Sequence, residues 1–158
     1  MNASKQFAQD MLKLLFQNAA ITDIGDASGI LGSTSAGSVY LRLCTDAATV
    51  DIETLGTEAS YTGYTAGGLA VARNATKWTV TWNDTDNQGE VVNAEEEVFG
   101  ERTDSGTEEV LQYLEVWKDN SSSDIEDRIC WLEFDNTISI TQGVQPRFQA
   151  EKLKFTFK

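Results

Sequence analysis

Lys77 to Trp82 alternates polar and apolar side chains, which predicts a strand with Trp78, Val80 and Trp82 on a buried face and Lys77, Thr79 and Thr81 on a wet one. The same period of two runs through Val39–Cys44, Val110–Trp117, Ile129–Phe134 and Leu153–Phe157, and Gly67–Arg73, Glu90–Phe99, Thr137–Ile140 and Arg147–Gln149 are further expected extended segments. In Val110–Trp117 both faces are apolar, Leu111, Tyr113 and Trp117 opposing Val110, Leu114 and Val116, as expected of a central strand or of one that meets a partner. Only Ser4 to Ala20 has the helical period. Ala8, Met11, Leu12, Leu15 and Phe16 make one stripe, and Asn2 or Ser4 can cap the first turn. About eight short strands separated by turns after one helix predict an all-β fold, an antiparallel β-sandwich or jelly roll. The expected organisation is an N-terminal helical arm over residues 1–22 and a β-domain over 23–158. The stripe must be covered, either by a sheet edge or sandwich end of its own chain or by a neighbouring subunit.

The connections are polar. Asp26–Ser38 is rich in glycine and serine but lacks the Gly-Lys-Ser/Thr ending of a phosphate-binding loop, so a linker is expected. Thr45–Ser60, Gly100–Glu109 and Lys118–Asp127 are expected as surface loops, and Gly63 marks a tight turn. Ser60–Trp82 as a whole is expected to form the core hairpin, its tryptophans holding the fold. Pro146 suits a turn or an edge.

A chain of 158 residues with 41% hydrophobic side chains can bury a core without disulfides or metals. Its 12 Lys plus Arg against 25 Asp plus Glu give a formal charge of −13, a field that repels phosphate backbones and makes nucleic acid an unsuitable partner. No apolar run approaches the ~20 residues of a membrane helix, and the first ten residues lack a signal peptide's basic-then-apolar layout. A soluble protein made in a cytoplasm is expected. There Cys44 and Cys130 are expected as buried thiols rather than a disulfide, and Asn-X-Ser/Thr triplets such as that at Asn74 carry no glycan.

With no histidine in the chain, the commonest general base, the commonest zinc ligand and the Ser-His and Cys-His pairs are all missing. Neither cysteine has a second at metal spacing. Of the carboxylates only Glu115 and Glu133 lie inside apolar strands, where a raised pKa suited to glycoside hydrolysis could arise, and a structural place in the strand is the expected one. Asp84-Thr-Asp86-Asn-Gln88-Gly89 with Glu95 nearly reproduces a calcium loop. It lies between two strands rather than two helices, so a hairpin turn is expected. No enzyme activity, cofactor or metal is expected.

Leu14-Leu-Phe-Gln17, Ile24-Gly-Asp-Ala-Ser-Gly29, Ala36-Gly-Ser-Val-Tyr-Leu41, Tyr61-Thr-Gly-Tyr64, Ala70-Val-Ala-Arg73 and Trp78-Thr-Val80, in that order, resemble a family of small tailed-bacteriophage structural proteins often labelled tail fibre proteins. Gly143-Val-Gln-Pro-Arg-Phe148 and Leu153-Lys-Phe155 are similar to the family's closing segment, while Asn83–Asp135 departs from it. The resemblance implies a non-enzymatic virion component with a β-sandwich fold. Because the chain has no repetitive or heptad shaft, a capsid decoration or cement protein on the outer shell is expected ahead of a tail fibre or tail-tip adhesin binding the host through an exposed tryptophan. The expected partners are the major capsid protein or other virion proteins and further copies of the chain, as a trimer or dimer. Met11, Leu12, Leu15, Phe16, Tyr113 and Trp117 are the candidate partner-binding residues.

Overall fold

The computed structural model describes residues 4–22, 24, 29–45 and 53–157. Asn2, residues 26–28 of the glycine- and serine-rich loop and 46–52 of the following acidic loop lie outside the described residues. The fold is all-β with antiparallel sheets and one N-terminal helix, the class that the pattern predicts. The chain divides into two compact units, the first made of Met1–Ser38, Ala72–Glu97 and Phe148–Lys158, the second of Val39–Val71 and Val98–Arg147.

In the first unit, helix α1 (Lys5–Gln17) is shorter than the Ser4–Ala20 of its periodicity, because its ends are fixed by capping. The Ser4 hydroxyl accepts from the Phe7 amide at 3.3 Å, and Asn18 takes the left-handed conformation that stops the helix. The helix expected as an arm packs on β3 (Trp78–Asn83) and β4 (Gln88–Asn93) of its own unit. Gly89 makes this approach feasible, since a methyl group there would press on Leu12 and Ala8. Strand β9 (Lys154–Phe157) completes a three-stranded sheet in the order β3-β4-β9. Its core is aromatic: Phe16 meets Trp78 edge-on with centroids 4.9 Å apart and stacks on Phe155 at 5.9 Å. Burial along β3 alternates as the sequence requires, with Trp78 wholly buried, Val80 and Trp82 half-buried, and Thr79 and Thr81 exposed.

Two polar side chains tie the irregular parts of this unit to the regular ones. Arg73 donates to the carbonyls of Leu14 (2.6 Å), Leu15 and Ala36 (3.2 Å), supplying cationic donors at the negative end of the helix. Asn93, fully buried, donates to the carbonyls of Glu95 (2.8 Å) and Gln149 (2.9 Å) and accepts from the Leu153 amide (2.9 Å), joining β4 to the segment that leads into β9.

The second unit is built on a four-stranded sheet in the order β2-β1-β6-β7, from β1 (Ser38–Cys44), β2 (Leu69–Ala72), β6 (Glu109–Trp117) and β7 (Arg128–Ile140). The doubly apolar strand β6 lies between β1 and β7, the central place that its pattern allows. The expected strands Ile129–Phe134 and Thr137–Ile140 are one strand, β7, whose pairing with β6 slips between Leu111 and Tyr113. The remaining short strands, β5 (Glu97–Val98) and β8 (Arg147–Phe148), pair as a two-stranded ribbon. Ser60–Trp82 is not one hairpin: β2 joins the sheet of β1, whereas β3 pairs with β4, so the two strands belong to different sheets.

Candidate functional site

Antiparallel register places Arg42 and Cys44 of β1 opposite Glu115 and Tyr113 of β6, and Glu115 in turn opposite Trp131 of β7. This face of the four-stranded sheet carries the second unit's densest chemistry. The Glu115 side chain is only 2% exposed and accepts at both oxygens, from the Gly56 amide and the Arg128 guanidinium at 2.9 Å each and from the Trp117 indole N–H at 2.9 Å. Arg128 also donates to the Thr54 carbonyl and lies 4.6 Å from the Trp131 ring centroid. Arg42 stands 3.9 Å over the Trp117 ring and donates to the Asp119 carbonyl at 3.1 Å. Beside it Glu58 accepts from the Tyr64 hydroxyl (2.9 Å) and the Gly67 amide (2.7 Å).

The geometry decides what this cluster can do. A general acid needs a carboxyl poised in an apolar pocket, whereas Glu115 is saturated by an arginine and two N–H donors. Burial, reinforced by the Glu115 and Glu58 carboxylates, pushes the Cys44 thiol far up, and burial raises Cys130 to about 12, so neither supplies a thiolate at neutral pH. Both are free thiols. Burial also raises Tyr64, with Glu58 adding to the effect. The arrangement cross-links strands and loops. Glu133, the second carboxylate read inside an apolar strand, is exposed on β7.

The loop expected at the surface between Thr45 and Ser60 covers part of this cluster through its described residues. The Thr45 amide donates to the Thr57 carbonyl, the Ala59 amide donates to the Leu43 carbonyl, and Gly56 and Thr54 serve Glu115 and Arg128. Sequence reasoning missed this because a backbone amide serving a buried carboxylate leaves no signature in side-chain polarity.

Of the six residues expected to meet a partner, four are internal to their own units. Leu12 (4% exposed) and Phe16 (2%) face the β3-β4-β9 sheet, and Tyr113 (7%) and Trp117 (1%) are enclosed on the β1-β6-β7 face. The helical stripe and the central strand are apolar because they fill the protein's own core. Met11 and Leu15 are half-buried. Among the described residues the exposed large apolar side chains are Phe7 on α1, Ile24, Ile30 and Leu31 in the loop after it, Val98 on β5 and Trp131 on β7.

The calcium-like segment begins in the turn of the β3–β4 hairpin and continues through β4 to Glu95. Asp84 pairs with Lys5 at 3.2 Å, Asp86 accepts from Asn83, and Glu95 pairs with Lys77 at 2.7 Å. Among the described residues no group of three or more acidic or cysteine side chains is placed to hold a metal ion. No described helix is long and apolar enough to cross a membrane. Comparison with models of protein families, with curated proteins and with solved structures finds no match to this chain.

Proposed function

We propose that the chain is a non-enzymatic structural protein of a tailed-bacteriophage virion, of the capsid decoration or cement type, which binds the outer shell and stabilises it. The observation that carries this reading is the use made of the buried charges. Glu115, Arg128, Arg42 and Arg102 hold strands and loops of the second unit together, and Arg73 holds the helix of the first. The acidic surplus lies largely on exposed turns such as Asp84–Asp86 and Glu95–Glu96. A strongly negative surface is unsuited to lining packaged DNA and suited to facing solvent from outside a shell. The ordered resemblance of the N-terminal half supports the same reading. The partners are the major capsid protein or other virion proteins, and further copies of the chain as a trimer or dimer.

A second reading, a tail fibre or tail-tip component that binds the host surface, is favoured by Trp131, which is 39% exposed under the Arg128 guanidinium. Quantitative mass spectrometry of purified particles, with imaging of a tagged copy, separates the two. Hundreds of copies on the capsid support decoration, about a dozen or fewer at the tail support the adhesin, and absence from the particle sinks both.

A further inference from the structure

The second unit contains a cleft of about 240 Å³ lined by Tyr40, Thr65, Gly68, Phe99, Gly100 and Asn120 together with the first residues of β2. Glycine creates it. Gly67 and Gly68 have φ of +87° and +89°, and a methyl group on either would collide with the carbonyl oxygen of Asn120 or of Leu41 respectively. Gly100 is pressed against the Gly63 carbonyl in the same way. Bare backbone therefore forms part of the wall, and its neighbours hold it in place. Tyr64 adds rigidity, donating to Glu58, accepting from the Leu43 amide and stacking on Phe99 with centroids 6.4 Å apart. Such a cleft exists before any ligand arrives, which lowers the ordering cost of binding.

The lining defines the ligand. The half-buried ring of Tyr40 and the apolar side chains of Leu69 and Ala70 offer hydrophobic surface, and Phe99, only 4% exposed, closes the wall behind them. Among the described residues, the hydroxyls of Tyr40 and Thr65 and the amide of Asn120 have no protein hydrogen-bond partner, so three neutral donor–acceptor groups are open to a ligand. No charged side chain lines the cleft. The negative field of the chain disfavours an anion, and a cation would find no carboxylate in the lining. The volume is below the ~300 Å³ where sites for drug-sized ligands begin. We infer that this cleft is a binding site for one neutral sugar ring, its apolar face laid on Tyr40, Leu69 and Ala70 and its hydroxyls meeting the Tyr40 and Thr65 hydroxyls and the Asn120 amide.

The site is independent of the proposed virion role, since either a shell protein or a tail component can carry it, and its test uses the isolated chain. Backbone amide NMR is recorded while the full chain is titrated with methyl glycosides of neutral hexoses, with N-acetylhexosamine, with the charged sugars glucuronate and glucosamine, and with uridine. The expected result is millimolar binding of at least one neutral sugar, with shifts at the Gly67, Gly68 and Gly100 amides. Asn120→Ala should weaken it roughly tenfold, the loss of one good hydrogen bond. Ala70→Leu, which fills the cleft from an exposed position on β2, should abolish it, and neither change should move the melting temperature. The inference is overturned if no neutral sugar shifts these amides, if Ala70→Leu leaves binding intact, or if charged sugars or uridine bind better than the neutral ones.

Discussion

Arg128 at the start of β7 meets Glu115 in β6 at 2.9 Å, with the two side chains only 3% and 2% exposed. Such a pair contributes little net stability compared with an apolar replacement of similar shape, yet breaking it from one side leaves a buried charge alone. Here the carboxylate also satisfies Gly56 and the Trp117 indole. Glu115→Ala should therefore lower the unfolding free energy by about 3–5 kcal/mol. In urea unfolding, Glu115→Ala combined with Arg128→Ala should cost clearly less than the sum of the single changes. A single-site loss below about 1 kcal/mol would place the pair among screened surface contacts and contradict the burial described.

Arg73 is the corresponding tie in the first unit. Its guanidinium reaches two carbonyls in the last turn of α1 and one in the following loop, a fork that a lysine cannot reproduce. Arg73→Met should cost about 1.5–3 kcal/mol, the scale of hydrogen bonds to a charged group. Arg73→Lys should recover only part of it. The loss should show as faster amide exchange in residues 13–17 of α1, so unchanged exchange there would refute the clamp.

Much of this architecture is legible in the sequence, for an identifiable reason. Period-two alternation marked β1, β3, β6 and β9, because each has a face that must be dry, and the stripe at Ala8, Leu12 and Phe16 marked the helix for the same reason. Alternation fixes which face is buried but not which strand is the neighbour, so β2 and β3, adjacent in sequence, look like one hairpin although they join different sheets. Apolarity was also an ambiguous signal for binding, since Phe16 and Trp117 are needed inside. The cleft beside Gly68 went unread because glycines reveal open space only once the backbone that approaches them is known.

Asn93 illustrates a buried polar residue whose value lies in the groups that it satisfies. Replacement by alanine would leave the buried Leu153 amide without its acceptor and the carbonyls of Glu95 and Gln149 without a shared donor. Asn93→Ala should destabilise by about 1–3 kcal/mol, the cost of stranding such groups. Calorimetric melting measures the effect, and amide exchange at Leu153 locates it. Slow exchange retained at Leu153 would mean that another acceptor holds that segment.

Acid should act on the fold in two opposite directions. The Asp104 carboxyl is held well below its ordinary range, first by the Arg102 guanidinium that donates to both of its oxygens and then by the Gly106 amide. Glu90 is lowered by the Asn83 amide and by Lys154, Asp119 by Ser121 and Asp127 by Lys118. A carboxylate whose folded pKa is depressed adds stability that is fully present above its unfolded pKa and is lost as pH falls through the folded value. Glu97 has the other sign. Burial raises its pKa, and Lys77 at 4.0 Å offsets this only partly, so its charged form opposes folding at neutral pH and the opposition fades as pH falls through its folded pKa. Melting temperature should stay level or rise slightly from pH 7 towards ~5 and fall steeply below ~4. Glu97→Gln should melt no lower than the parent at neutral pH and should remove the slight rise. Asp104→Asn should melt lower at neutral pH and converge on the parent in strong acid, where the parent's carboxyl is itself protonated. Calorimetry from pH 2 to pH 7 on the three chains checks both signs, and parallel profiles for parent and Asp104→Asn would show that the Arg102–Asp104 contact does not govern the acid limb.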